Sequence, residues 1–418
     1  MPTIKTNDKT QESTIFFRSE INLYIGSKTM IKFLSLLLAA TFFNLCLAAV
    51  TKSECPSYDY SGRFPPVRDQ DGHGYCWAFA ATALYEEELC LESRKNKSLN
   101  YKCGQKLSVL DLSRCDFSLS SDFGEGGNIA SGLECVTKKK AIYKNLKPIK
   151  GGKAADVIIK EISHKPGICL EKYAPYYNLM NGLSGFADSI LGVSDPKSLN
   201  DYFVEKRNEC HEAESPQEMN ELVNDVAGIL KDYLPKHEQM GVDFKTAIRK
   251  KQLDHYFLRD ILITPQCEKT RLNVNKIYDV VEEDFDRQSW TEGTVINGIH
   301  KQKTVVVPAK TEKQKLASLV QSLKKGRSVG GSMCWNKYIK DSQASYYEKI
   351  FLAPGTLFDD DACGGHGVVY SGMRWNQTKN QCEVFVRNSW GADAPLDGWV
   401  EAGRLMKHTM STTQLKGK

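Results

Sequence analysis

The chain has 418 residues and 41% of them are hydrophobic, so it is long enough to form two or three domains with substantial cores. Its 56 lysines and arginines barely exceed its 51 acidic residues, and the net charge of +5 is spread along the chain. Such a weak and diffuse charge argues against nucleic acid as a partner.

Residues 1–48 are predicted to form a signal region. Ile31-Lys32 precedes an apolar run that starts at Phe33, and Cys46-Leu47-Ala48 offers small residues for cleavage. The preceding residues are polar and patternless, so we expect translation to start at Met30. The apolar run is also long enough for an uncleaved membrane anchor, but Asn44 and the small-residue end favour cleavage. The sequence therefore predicts a secreted or periplasmic protein with no stable membrane span.

Export makes disulfide bonds plausible, because exported proteins fold in oxidising compartments. Of the thirteen cysteines, Cys46 lies in the signal region and Cys76 is assigned below as a nucleophile. The remaining eleven allow at most five bridges and leave at least one thiol, and their pairing cannot be read from spacing. Cys363 and His366 are spaced like half of a metal motif, but this pair alone supports zinc only weakly, so no metal or cofactor is predicted.

The first part of the mature chain is predicted to be helical. Apolar residues recur at helical spacing from Cys76 to about Ser93, and the run Glu86-Glu87-Glu88 within this helix is expected to be exposed. A short helix is predicted from Leu107 to Cys115. A glycine cluster at Gly124–Gly127 then leads into another helix through Ile129 and Val136.

The stretch 179–305 is more polar and is predicted to be a mainly helical insertion. Ser215-Pro216-Gln217-Glu218 forms a capping box with proline at the first helical position. An apolar stripe follows from Met219 to Leu230. This stripe is more simply explained as a core-facing surface than as a partner-binding site.

The C-terminal part, residues 306–418, changes to the alternating pattern of strands. A helix at Lys315–Lys324 is followed by a strand-like stretch at Ser328–Cys334. His366–Tyr370 and Glu383–Arg387 then alternate as the two strands of a hairpin. This hairpin would carry an imidazole at its start and the carboxamide of Asn388 at its end.

The string from Gln70 to Phe79 places Cys76 at the start of a helix. The helix dipole and the free backbone N–H groups there are expected to lower the pKa of the thiol. A cysteine nucleophile also needs a base, and among the eight histidines only His366 opens a strand that leads to Asn388-Ser389-Trp390-Gly391. Taken alone, Cys76-Trp77 would be a buried structural pair and His366 a core histidine. Their combination favours catalysis.

These motifs resemble those of the papain-like cysteine peptidases. The family signature around the nucleophile, C-G-[SA]-C-[WY], is approached by His73-Gly74-Tyr75-Cys76-Trp77. The resemblance implies an α+β, papain-like two-lobe fold with the active-site cleft between the lobes. Residues 49–178 would form the helical left lobe and residues 306–418 the β-barrel-like right lobe, with the insertion 179–305 between them.

The resemblance also implies the roles of individual residues. Cys76 would attack a peptide carbonyl, with His366 as its proton partner and Asn388 orienting the imidazole. The other matches are an oxyanion-hole glutamine, a pair of cleft glycines and a tryptophan that shields the histidine. Taken alone, the glycines could form an ordinary turn. The implied site residues are catalytic Cys76, His366, Asn388 and Gln70, and substrate-binding Gly126, Gly127 and Trp390.

The sequence departs from the family pattern at several positions in the site. His73 replaces the first cysteine of the signature, so Cys115 must be free or bridged differently. Tyr75 is bulkier than the usual Ser or Ala and is expected to narrow the cleft. The second tryptophan that is common after Gly391 is missing, which affects the side of the cleft that holds the leaving group.

Spacing is the largest departure, because His366 follows Cys76 by 290 residues whereas the family spacing is about 130–150. Most of the excess falls in the stretch 179–305. We hypothesise that this insertion caps or regulates the cleft. Its deletion is then expected to raise activity on small peptides while the core stays folded.

The predicted function is that of an exported papain-like cysteine endopeptidase with protein or peptide substrates. One alternative is a catalytically impaired papain-fold protein with a binding or adhesive role, which the bulk of Tyr75 and the altered leaving-group side favour. Another is amide or thioester transfer by the same Cys–His chemistry, because no sequence feature distinguishes water from another acceptor. The sequence indicates no oligomeric state.

Overall fold

A computed structural model describes residues 50–70, 74–115, 127–138, 140–147, 156–163, 165–177, 206, 209, 213, 215–233, 242–251, 262–274, 278–286, 288–296, 299–342, 363–391 and 397–417. The predicted signal region with Met30 lies outside the described residues, as do His73 and Gly126. No helix in the described ranges is both long enough and apolar enough to cross a bilayer.

Helices and antiparallel strands alternate along the chain, so the predicted α+β class is confirmed. The helices are α1 Cys76–Lys95, α2 Val109–Ser113, α3 Ile129–Thr137, α4 Pro216–Tyr233, α5 Phe244–Lys251, α6 Pro265–Lys269, α7 Glu312–Leu323, α8 Trp335–Ser342 and α9 Ala402–His408. The strands are β1 Tyr58–Asp59, β2 Lys140–Lys147, β3 Asp156–Ser163, β4 Tyr278–Asp284, β5 Gln288–Ile296, β6 Ile299–Val307, β7 Val329–Cys334, β8 Gly365–Asn376, β9 Gln381–Arg387, β10 Gly398–Glu401 and β11 Thr409–Gly417. Short 3-10 helices occupy Lys52–Glu54, Ser61–Arg63 and Glu171–Tyr173.

Helix α1 forms as predicted and runs through the interior, with β8 packed on it from one side and α3 from another. Because it is covered on several sides, Glu86–Glu88 are 0–2% exposed, and the prediction that this run is exposed is wrong. Each carboxylate meets an arginine that balances its buried charge: Arg68 pairs with Glu86 at 3.0 Å, Arg63 with Glu87 at 2.9 Å, and Arg327 with Glu88. The helix is therefore joined by ion pairs to three other segments of the chain.

The main sheet contains seven antiparallel strands in the order β10-β9-β8-β7-β11-β4, with β1 added on β8. The predicted hairpin is confirmed as β8 and β9, in which Tyr370 lies opposite Val386. On its other edge β8 pairs with β7, so that His366 lies opposite Met333. The sheet thus holds the predicted histidine at the start of a central strand.

The stretch predicted to be a mainly helical insertion contains strands as well as helices. Helix α4 begins with the predicted capping box, in which Ser215 and Glu218 bond reciprocally at 3.1 and 3.2 Å. Its stripe residues Val223, Val226 and Leu230 are fully buried, as expected of a core-facing surface. Strand β4, however, pairs with β11 over its whole length and belongs to the main sheet. Strands of the main sheet therefore begin well before residue 305, where the insertion was predicted to end. The limits of the domains stay a prediction.

Five disulfide bonds join ten of the eleven cysteines considered above, and the eleventh, Cys210, lies outside the described residues. The pairs are Cys55–Cys382, Cys90–Cys103, Cys115–Cys135, Cys169–Cys267 and Cys334–Cys363. Cys115 is therefore bridged differently from the family pattern, which was one of the two expectations. Because Cys363 is oxidised with Cys334, its sulfur is not available to hold zinc together with His366.

Candidate active site

Cys76 is the first residue of α1 and is 9% exposed. It is the one cysteine outside a disulfide in the described part of the chain. Burial raises the pKa of its thiol, against the backbone N–H groups of Gly367, Trp77 and Cys76 itself, which lower that pKa. The backbone N–H groups at the helix start thus act on the thiol pKa in the predicted direction, but burial outweighs them, so the pKa is raised and not lowered.

His366 is the second residue of β8 and its side chain is 5% exposed. Its Nε2 lies 2.8 Å from Oδ1 of Asn388. Since an amide oxygen only accepts hydrogen bonds, Nε2 carries the proton in the neutral ring and Nδ1 is left as the basic nitrogen. Burial lowers the pKa of His366 to about 4, against the hydrogen bond that the ring donates to Asn388, which raises it. The imidazole is therefore neutral at pH 7.

The strand that carries His366 lies directly against the helix that carries Cys76, and Gly367 makes this approach possible. A Cβ atom on Gly367 would lie 3.0 Å from the backbone nitrogen of Trp77 and 3.1 Å from the carbonyl carbon of Cys76. Any larger residue would push the strand away from the helix start. The sequence interpretation missed this residue, although a glycine directly after the histidine in a strand signals a close backbone approach.

Asn388 follows the end of β9, and its amide orientation is fixed by two donors. Its Oδ1 accepts from His366 and also from the backbone N–H of Ser389 at 2.8 Å. Its backbone N–H donates to Asp397 at 3.2 Å. The Nδ2 atom is buried and has no hydrogen-bond acceptor among the described residues. The side chain thus presents its carbonyl oxygen to the imidazole.

Gln70 is 4% exposed and is held by the segment that follows β9. Its backbone N–H donates to the carbonyl of Ser389 at 2.7 Å, and its Oε1 accepts from the Ser389 hydroxyl. The hydroxyl of Tyr176 donates to the Gln70 carbonyl at 3.1 Å. The Ser389 hydroxyl thus binds the oxygen end of the Gln70 amide, and the other end of the amide carries the N–H groups that a developing oxyanion requires as donors. Sequence reasoning missed Ser389 in this role.

Two tryptophans pack on the imidazole, and only one of them was predicted. Trp390 lies 4.6 Å from the His366 ring, between ring centres. Trp335 lies 4.9 Å from the same ring and 4.4 Å from Trp390, edge to face. Trp335 follows β7, the strand paired with β8, so its place next to the histidine could have been found only from the strand pairing.

The predicted cleft residues have different outcomes. A Cβ on Gly127 would lie 2.4 Å from the indole of Trp77, so this glycine abuts the residue after the nucleophile. Gly126 lies outside the described residues. Tyr75 is fully buried and packs edge-on against Tyr176 at 5.5 Å. It therefore packs in the interior against Tyr176, and its effect on the width of the cleft stays a prediction.

Comparison with known proteins matches residues 56–180 to the family described as papain family cysteine protease. No curated protein matches the chain. Among solved structures, digestive procathepsin L 3 of Tenebrio molitor larval midgut is 14% identical, covering 88% of this chain and 73% of its own, with a TM-score of 0.35. The bromelain protease from Ananas comosus in complex with the E64 inhibitor is 11% identical, covering 87% and 99%, with a TM-score of 0.36.

Proposed function

We propose that this chain, in which residues 56–180 are papain-family sequence, is an exported cysteine endopeptidase. The observation that carries the proposal is the convergence of a free cysteine, a histidine and an asparagine from three separate elements. His366 bonds to Asn388 at 2.8 Å, and the residue after His366 contacts the helix start at Cys76. The same arrangement also brings in Gln70 through Ser389. A nucleophile, a base, an orienting group and an oxyanion donor are the four parts that acyl transfer needs.

In the proposed reaction the pair starts neutral, because burial raises the thiol pKa and lowers the imidazole pKa. As the sulfur of Cys76 attacks the peptide carbonyl, Nδ1 of His366 takes the thiol proton. The Gln70 amide and the Cys76 backbone N–H stabilise the tetrahedral oxyanion. The imidazolium then gives its proton to the departing amine, leaving an acyl-enzyme. Water, deprotonated by the same imidazole, hydrolyses the thioester and regenerates the thiol.

We also propose that the protein is exported, that it acts on proteins or peptides, and that it needs no cofactor. The five disulfides support export, because such bonds persist in oxidising compartments. Buried ion pairs and a diffuse charge of +5 give no support to nucleic acid as a substrate. The matched family supports peptide-bond hydrolysis.

Hydrolysis of an unstructured protein such as reduced casein, by the chain lacking residues 1–48, tests this proposal. The wild type should cleave internal bonds, and Cys76→Ser should abolish cleavage while the fold is retained. Asn388→Ala should reduce the rate strongly, because the imidazole loses the hydrogen bond that orients it. Equal rates for wild type and Cys76→Ser would contradict the proposal.

A second candidate is a papain-fold binding protein that has lost useful catalysis. The observation that favours it is the burial of the pair, since a thiol with a raised pKa next to an imidazole with a pKa of about 4 forms no ion pair at pH 7. In that case the wild type would bind unfolded protein without cleaving it. Its affinity would then be the same in Cys76→Ser.

A further inference from the structure

Trp335 packs on the imidazole of His366 and lies outside the motifs that resemble the papain family. Its ring centre lies 4.9 Å from that of His366 and 4.4 Å from that of Trp390, while Trp390 and His366 are 4.6 Å apart. Each of the three rings therefore touches the other two. Trp335 is 6% exposed and His366 is 5% exposed, whereas Trp390 is half-buried, so the first two rings have little contact with solvent.

The position of Trp335 is fixed by contacts with the residues that directly precede His366. Trp335 donates its backbone N–H to the carbonyl of Gly364 at 2.9 Å, two residues before His366. The preceding residue, Cys334, lies opposite Gly365 in the sheet and forms a disulfide with Cys363. These constraints hold the start of α8 next to the start of β8. The indole therefore moves with the strand that carries the imidazole.

The sequence after Gly391 lacks the tryptophan that is common there in the family, and Trp335 supplies a second indole from another element. Resting on the proposed function, we infer that Trp335 is a positioning residue, which packs on His366 and Trp390 to hold the imidazole in line with the leaving group. It does not itself touch the reacting atoms.

The physical reason is that one hydrogen bond leaves a ring free to rotate. Asn388 fixes Nε2 of His366, but the ring can still swing about that bond unless packing stops it. Trp390 packs on the ring at 4.6 Å and Trp335 at 4.9 Å, so both indoles must shift before the imidazole can rotate. The position of Nδ1 matters most when the ring delivers a proton to an amine, because this transfer needs hydrogen-bond reach.

An amide and an ester with the same acyl group test this inference, because an amine leaving group must be protonated whereas p-nitrophenolate leaves without a proton. We expect Trp335→Ala to lower kcat for the peptide amide by about tenfold or more and to lower ester hydrolysis much less. Trp335→Phe should restore most of the amide rate, since it keeps an aromatic face against His366 and Trp390. The KM values should change little.

A second measurement does not depend on turnover. The groups that face the imidazole are the Asn388 amide, the start of α1 at Cys76 and the two indoles, and burial is the main cause of its low pKa. Removal of the Trp335 indole should let water reach the ring. Its pKa, followed by the NMR shift of the ring carbon, should then rise from about 4 toward 6.5.

Trp399→Ala is the matched control, because this tryptophan packs on Phe385 at 5.2 Å, outside the three-ring group. It should leave both the amide-to-ester ratio and the pKa of His366 at wild-type values. Leucine at position 335 fills much of the space without an aromatic face, so Trp335→Leu replaces Trp335→Ala if the alanine variant does not fold. An active wild type with the same ratio and the same imidazole pKa in the Trp335 variants would overturn this inference alone. A wild type that cleaves neither substrate would overturn the proposed function.

Discussion

His366 is neutral in the folded protein because Trp335, Trp390 and the neighbouring backbone keep water away from its ring. Its pKa of about 4 lies below the ordinary value of 6.5. In the unfolded chain the ring binds a proton near pH 6.5, but in the folded protein it does so only near pH 4. Folding therefore excludes a proton in this pH range, so acidification from pH 6.5 to 4 favours the unfolded chain.

Between pH 6.5 and pH 4.5 the expected size of this effect is about 2 kcal/mol in the free energy of unfolding, which we predict His366→Gln to remove. Urea unfolding at pH 6.5 and at pH 4.5 measures it as a smaller loss of stability in the variant. Glu87 acts in the opposite direction, because burial raises its pKa to about 7 and its contribution is lost as pH rises. The difference between wild type and variant cancels that contribution. Equal acid sensitivity in both proteins would show that His366 is not buried in this way.

Among the helices and strands, the contact between β8 and α1 is what brings His366 and Cys76 together. Gly367→Ala would place a methyl group within 3.0–3.1 Å of the backbone of Trp77 and Cys76. We expect it to lower the free energy of unfolding by about 1–3 kcal/mol through overpacking and to reduce peptide hydrolysis at least tenfold. The control is Gly365→Ala on the same strand, where an added Cβ meets no atom within 4 Å. Similar activities in the two variants would contradict this role of Gly367.

The disulfide at the start of α8 permits a further test at this level. Loss of Cys334–Cys363, by changing both cysteines to serine, should lower stability by about 3 kcal/mol. It should also lower amide hydrolysis, because Trp335 is no longer fastened beside β8. Loss of Cys90–Cys103, at the far end of α1, should lower stability without changing the amide-to-ester ratio. The same ratio in both double variants would contradict the link between this bridge and the histidine.

At the level of the whole molecule, the stretch 179–305 is tied into the core more tightly than an insertion that caps the cleft would be. Strand β4 pairs with β11 along its whole length, and Cys267 forms a disulfide with Cys169. We therefore expect deletion of residues 179–305 to unfold the core, in contrast to the hypothesis that the core stays folded. We predict that this deletion yields a chain that proteases degrade rapidly, whereas a soluble, cooperatively unfolding product would contradict this prediction.

The sequence predicted the local motifs well and the tertiary environment poorly. The helix at Cys76, the hairpin from His366 and the buried stripe of α4 follow from spacing and turn signals, so they were found. The burial of Glu86–Glu88 depends on arginines elsewhere in the chain, and the place of Trp335 depends on a strand pairing. Neither leaves a periodic pattern in the sequence. The effect of burial on the thiol pKa could not be predicted either, because burial is a property of the assembled molecule.

The central claim is that His366 activates Cys76 as a nucleophile, and the pH dependence of Cys76 alkylation by iodoacetamide tests it most directly. With a neutral imidazole as base, the wild-type rate should change by less than about tenfold between pH 7.5 and 5.5. In His366→Ala, it should fall about a hundredfold over that range, because the thiolate fraction falls tenfold per pH unit when the pKa of the thiol lies above the range. A wild-type rate that falls as steeply as that of His366→Ala would contradict the claim.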